Sequence, residues 1–85
     1  MKEFKYTITD PVGIHARPAG QLVKAAKALT SHVTIRAGKK EADATRLMAV
    51  MGMGVTQGME VTVELSGEDE EQDYATLKEF FEKNL

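Results

Sequence analysis

The hydrophobic positions of this chain switch between a period of two and a period near 3.6. From Glu3 to Thr9 they alternate. Phe4, Tyr6 and Ile8 point one way and Lys5, Thr7 and Thr9 the other, which predicts a half-buried strand. Asp10, Pro11 and Gly13 interrupt it and predict a short loop carrying His15. From Ala16 the period becomes helical. Ala16, Ala19, Leu22, Val23, Ala26 and Leu29 form an apolar stripe, and Arg17, Gln21, Lys24 and Lys27 form a polar, basic one. Pro18 falls in the first turn, where its missing N–H costs nothing and its fixed φ suits a helix. Gly20 is worse than alanine inside a helix by about 1 kcal/mol, so close packing against a neighbouring element is expected there.

The second half repeats the same alternation of periods. His32 to Arg36 is a predicted strand with Val33 and Ile35 buried, and Ala37-Gly38-Lys39 a turn. Lys40 to Asp43 is a short polar strand suited to a sheet edge. Arg46 to Gly52 predicts a short helix ended by Gly52 and Gly54. After a turn at Thr56-Gln57-Gly58, Glu60 to Ser66 is a strand with Val61, Val63 and Leu65 inward. Gly67 ends it. Glu68, Asp69, Glu70 and Glu71 then stand near the positive end of a last helix, whose inner stripe is Tyr74, Leu77 and Phe81 with Phe80 beside them. The order β-α-β-β-α-β-α predicts an α+β two-layer sandwich, with an antiparallel or mixed sheet covered by helices on one face.

Composition narrows the function classes. A chain of 85 residues is one domain with a modest core, burying about 60–65% of its unfolded surface. The absence of cysteine excludes disulfides, thiolate metal sites and thiol catalysis. A net charge of −2 argues against nucleic acid held on a basic surface. The amino terminus, MKEFKYTITD, has neither a signal-peptide core nor a membrane span, and a cytoplasmic protein without membrane insertion is the expectation. Two histidines seventeen residues apart, with carboxylates mostly in solvated runs, make no metal site. No cofactor is expected either.

The chemistry concentrates in GIHARPAG, Gly13 to Gly20. His15 stands immediately before the predicted helix, whose first N–H groups lack intrahelical partners and whose dipole places partial positive charge there. Such an end accepts anions. It also disfavours imidazolium, so His15 keeps a lone pair for attack near pH 7. Attack on phosphorus would give a labile phosphohistidine, with the N–H groups of Ala16 and Arg17 and the Arg17 guanidinium as its stabilising partners. The same residues also suit a plainer role, a histidine cap and a solvated arginine. His32 has no such company. In the short second helix, one turn and a half cannot bury Leu47, Met48, Val50 and Met51 together. Leu47 or Val50 is expected in the core. Some of Leu47, Met48 and Met51 are expected on the surface beside the His15 helix, with Arg17, Lys24 and Lys27 as a basic rim that favours acidic partners.

These residues, with the stretch LMAVMGMGVTQGMEVTV and the acidic last helix, resemble the HPr family, the histidine-containing phosphocarriers of the bacterial sugar phosphotransferase system. The resemblance covers essentially the whole chain. It implies an open-faced sandwich with a four-stranded antiparallel sheet and three helices on one face. It implies that His15 accepts a phosphoryl group from enzyme I, charged by phosphoenolpyruvate, and donates it to IIA proteins or domains of sugar permeases. Arg17 becomes the charge partner of the phosphate, and Pro18 with the backbone of Ala16 and Arg17 its cradle. Leu47, Met48 and Met51, rimmed by Lys24 and Lys27, become the docking patch. Such a protein is a stoichiometric carrier rather than a turnover enzyme, and a monomer is expected for one that visits several partners. A regulatory module on the same fold, using phosphorylation of His15 as a signal, is the alternative. One position departs from the pattern. Many relatives from low-GC Gram-positive bacteria have a kinase-controlled serine at the start of the second helix, where this chain has Arg46, preceded by Thr45. That switch is not expected here, and Thr45 is expected to be a helix cap or solvent-facing.

Overall fold

The computed structural model describes residues 1–14 and 16–85; His15 lies outside the described residues. The elements follow in the predicted order: β1 (Lys2–Thr7), α1 (Ala16–Ala28), β2 (His32–Ala37), β3 (Lys40–Asp43), α2 (Leu47–Gly52), β4 (Glu60–Ser66) and α3 (Glu70–Asn84). The strands form one antiparallel sheet in the order β1-β4-β2-β3. Register explains why one face is core. Phe4, Val63, Ile35 and Ala42 stand opposite one another across all four strands, and all are buried. The residues one step along give polar rows, Lys5-Thr62-Arg36-Glu41 and Glu3-Glu64-Thr34-Asp43, on the other face. Arg36 pairs there with Glu64.

The helices cover the apolar face. α3 packs on β1 and β4, α2 against β3, and α1 touches both other helices. Phe81 is fully buried and meets Phe4, Tyr6 and Phe80 edge-to-face, with ring centroids 5.6 to 6.2 Å apart. The end of α1 is tied to the start of α3. The Ser31 N–H donates to buried Asp73 at 3.0 Å, and the Thr30 hydroxyl donates to Asp69 at 2.9 Å.

Several boundaries differ from those read in the sequence, for local reasons. β1 stops at Thr7, because the next groups turn elsewhere: Thr9 N, Thr9 Oγ1 and Asp10 N all donate to Leu85 O, at 2.6, 2.9 and 2.9 Å. β2 runs one residue further than expected, since Ala37 pairs with Lys40 and leaves a two-residue connection, Gly38-Lys39. Helix α2 begins at Leu47. Arg46 is extended (φ −113°, ψ 104°) and caps the helix without a side-chain hydrogen bond. Thr45 is neither a cap nor fully exposed; it is half-buried, its hydroxyl donating to Asp43 at 2.6 Å. Ala16 belongs to the periodic apolar stripe yet is exposed, because the core needs only Pro18, Ala19, Leu22, Val23 and Ala26 from α1.

Candidate functional site

The loop leading to His15 is fixed from two sides. On one side it rests on the end of α3, through the three bonds to Leu85 O. On the other it meets the connection between α2 and β4. Ile14 N donates to Val55 O at 3.1 Å, Gly58 N to Ile8 O at 2.8 Å and Gln57 Nε2 to Thr9 O at 3.2 Å. Within the loop, Val12 N donates to Asp10 Oδ1 and Gly13 N to Asp10 O. Gly13 is indispensable on two counts. Its φ is +76°, and a Cβ there would stand 2.3 Å from Val55 O and 2.7 Å from Thr56 Cα. Buried Ile14 is thereby pinned immediately before His15 in the chain. The sequence marked Gly13 as a strand breaker. Its contact with Val55 and Thr56, more than forty residues on, left no local signal.

The two longer helices treat their amino-terminal ends differently. The first turn of α3 carries Glu70, Glu71 and Asp73, which complement its positive end. The first turn of α1 has no acidic residue and instead holds exposed Arg17. Pro18 is buried within that turn and fixes its φ without wasting a donor. No carboxylate occurs anywhere from Pro11 to Lys40. Among the described residues, none of the ion pairs involves Arg17, Lys24, Lys27 or Arg46. The start of α1 is therefore a positive end with no internal counter-charge.

α2 packs against α1 and presents apolar side chains to solvent. Met48 is 77% exposed and Leu47 39%, whereas Val50 is fully buried. Of the two residues considered for the core, Val50 is the core one. Met51 is half-buried and packs partly on the core, so it adds less to the surface than the other two. Lys24 and Lys27 are exposed on α1. Gly20 is not crowded by another element: beyond its own helix, a Cβ there meets no atom of the described residues within 4 Å, so the expected close packing against a neighbouring element is absent among them.

The turn that launches α2 is held by Asp43, which accepts from Thr45 N at 2.9 Å and from Thr45 Oγ1. These bonds, with smaller attractions from His32 and Arg46, hold its carboxyl below the usual carboxylate range. A group whose pKa is lower folded than unfolded adds stability above its unfolded pKa, and that stability is lost as pH falls through the folded value. Asp43→Asn should therefore shrink the loss of urea stability seen between about pH 5 and pH 2. An acid limb identical to that of the wild type would show that Asp43 adds nothing to it.

An open depression lined by Gly67 to Gln72 lies at the carboxyl-terminal end of α1, where Thr30 meets Asp69. Its acidic lining opposes a phosphate, and it stands about 20 Å along the helix from Arg17. No group of three or more histidine, aspartate or glutamate residues able to hold a metal occurs among the described residues.

The first turn of α1 is thus free of acidic residues, and the helix packed against α1 carries exposed Leu47 and Met48. The family model described as "PTS HPr component phosphorylation site" matches residues 2–83. The chain belongs to the HPr family. It is 42% identical over 77 residues to the phosphocarrier protein HPr of Lysinibacillus sphaericus, covering 91% of this chain and 88% of that one. It is also similar to the solved histidine-containing phosphocarrier protein of Mycoplasma, with a TM-score of 0.89 and 38% identity over 93% of this chain and 90% of the other. HPr of Thermoanaerobacter tengcongensis superposes with a TM-score of 0.92 at 33% identity, covering 99% and 94%. HPr membership makes a phosphocarrier role in a phosphotransferase system the function of this fold. No described helix is long and apolar enough to cross a membrane.

Proposed function

We propose that the chain carries phosphoryl groups on His15, taking them from phosphorylated enzyme I and handing them to IIA proteins or domains of sugar permeases. The observation that carries this reading is the uncompensated positive start of α1, with Arg17 in its first turn, directly after His15. In the accepting step a ring nitrogen lone pair forms the P–N bond. The bond from phosphorus to the donor breaks, and its electron pair returns to the donor. The N–H groups of Ala16 and Arg17 and the Arg17 guanidinium then face the new dianion, while Pro18 holds their turn rigid. Donation runs the same exchange in the other direction, onto IIA. No cofactor takes part, and the carrier is consumed and regenerated one phosphoryl group at a time. It works as a monomer, docking through Leu47, Met48 and Met51 with Lys24 and Lys27 at the rim.

Incubation with enzyme I, magnesium and phosphoenolpyruvate, followed by intact-mass measurement, should show one added phosphoryl group, discharged when a IIA protein is supplied. A charged protein that no IIA protein discharges would contradict the carrier role. Arg17→Gly should slow both half-reactions. It should change stability by well under about 1 kcal/mol, because an exposed charge at a helix start is worth little to the fold. Equal rates for the variant and the wild type would remove Arg17 from the mechanism.

A further inference from the structure

The peptide unit between Val55 and Thr56 lies against the loop that leads into α1, and it is held at both ends. Its carbonyl oxygen, Val55 O, accepts the Ile14 N–H at 3.1 Å, and Ile14 immediately precedes His15. Its N–H, on Thr56, donates to Sδ of Met59 at 3.3 Å, and among the described residues no other acceptor takes it. The sulfur is anchored in turn. Met59 N donates to Thr56 O at 3.1 Å, closing the turn from Thr56 to Met59, and Met59 O accepts from Ile8 N at 2.9 Å. The Met59 side chain is half-buried and packs on the core, whereas Thr56, Gln57 and Gly58 are exposed. The core contact fixes where the thioether stands. Leucine would serve that packing equally well; what methionine adds is a lone pair, weak as an acceptor but aimed at an N–H.

We propose that Met59 is a positioning residue for phosphoryl transfer. Its sulfur fixes the tilt of the Val55–Thr56 peptide, the carbonyl of that peptide fixes the Ile14 N–H, and Ile14 sets the direction in which the chain enters His15. The inference rests on the carrier reading, and Met59 acts through the backbone rather than on the phosphoryl group. Without the sulfur the Thr56 N–H turns to water, which imposes no direction on it. Transfer depends steeply on the angle and distance of the attacking nitrogen. Loss of the acceptor therefore lowers kcat, while KM, set by surfaces elsewhere, stays as it was.

The test compares the wild type with Met59→Leu, which keeps the bulk and removes the acceptor, and Met59→Gln, which is less apolar but supplies an oxygen acceptor on a side chain of similar length. Packing and hydrogen bonding predict opposite orders for the two. Met59→Leu should unfold within about 4 °C of the wild type. Its Ile14 amide hydrogen should nevertheless exchange about three- to ten-fold faster. Its kcat for uptake from enzyme I should fall about three- to ten-fold at unchanged KM. Met59→Gln should be the less stable variant, yet its kcat should return to within about two-fold of the wild type. If kcat follows stability instead, with Met59→Gln below Met59→Leu, Met59 is only a core side chain and the proposal fails. Equal kcat for Met59→Leu and the wild type overturns the proposal while the carrier reading stands. Equal Ile14 exchange in those two proteins breaks the link from sulfur to loop, whatever the kinetics. A wild type that takes no phosphoryl group from enzyme I would overturn the carrier reading and this inference with it.

Discussion

His15→Ala should fold normally and take up no phosphoryl group from enzyme I and phosphoenolpyruvate, whereas His32→Ala should be charged like the wild type. The two histidines stand at opposite ends of the same helix. His15 immediately precedes Ala16, the first residue of α1, at the positive end of the dipole. His32 opens β2, three residues after Leu29 beyond the other end, about 20 Å away along the axis. There the carbonyl ends of α1 and the carboxylates of Asp69 and Asp73 oppose a dianion. Chemistry on a histidine would favour neither residue; the field does. Intact mass before and after mild acid gives the result, since a P–N bond is lost in acid. A full acid-labile label on His15→Ala would reject His15 as acceptor.

Gly13→Ala should be among the most damaging small substitutions in the chain. An alanine there adopts a left-handed conformation at a cost of about 1–2 kcal/mol. Its methyl also meets Val55 O and Thr56 Cα, which are backbone and cannot swing aside. The two together should exceed about 2 kcal/mol, or roughly 8–16 °C in Tm for a domain of this size. Gly38→Ala separates the causes. Gly38 has a similar φ, +62°, but nothing within 4 Å of its Cβ, so only the conformational part applies there. Urea midpoints of the two variants should differ by the cost of the clash. Because the displaced backbone lies two residues before His15, Gly13→Ala should also slow phosphoryl exchange under conditions where it is still folded, and Gly38→Ala should not. Equal midpoints for the two would mean that the loop yields around the methyl.

The elements were legible in the sequence because strand and helix write different periods, and the chain changes period cleanly at Ala16, His32 and Glu60. Alanine blurred the signal at position 16, since it tolerates both faces of a helix. The charge of the candidate site was equally visible, as a run from Pro11 to Lys40 without a carboxylate. What the sequence hid were meetings between distant segments. Neither Leu85 O receiving Thr9 and Asp10, nor Val55 beneath Gly13, nor Asp73 buried under Ser31 follows from any neighbouring residue. The division of α2 into buried Val50 and exposed Met48 depends on how the helix rolls against α1, which six residues are too few to encode by periodicity.

The sheet order carries a consequence for how the chain assembles. β2 and β3 are joined by two residues and need little loop entropy to meet. β1 is different: Phe4 faces Val63, about 60 positions away, so the first strand made is the one whose partner is synthesised late. Until β4 emerges, Phe4, Tyr6 and Ile8 have no sheet to join. Phe81, which closes over Phe4 and Tyr6, comes later still. A growing chain can thus lay down the β2–β3 hairpin early, but the platform that holds the His15 loop, fastened to Leu85 at one side and Val55 at the other, is completed only when the final helix docks.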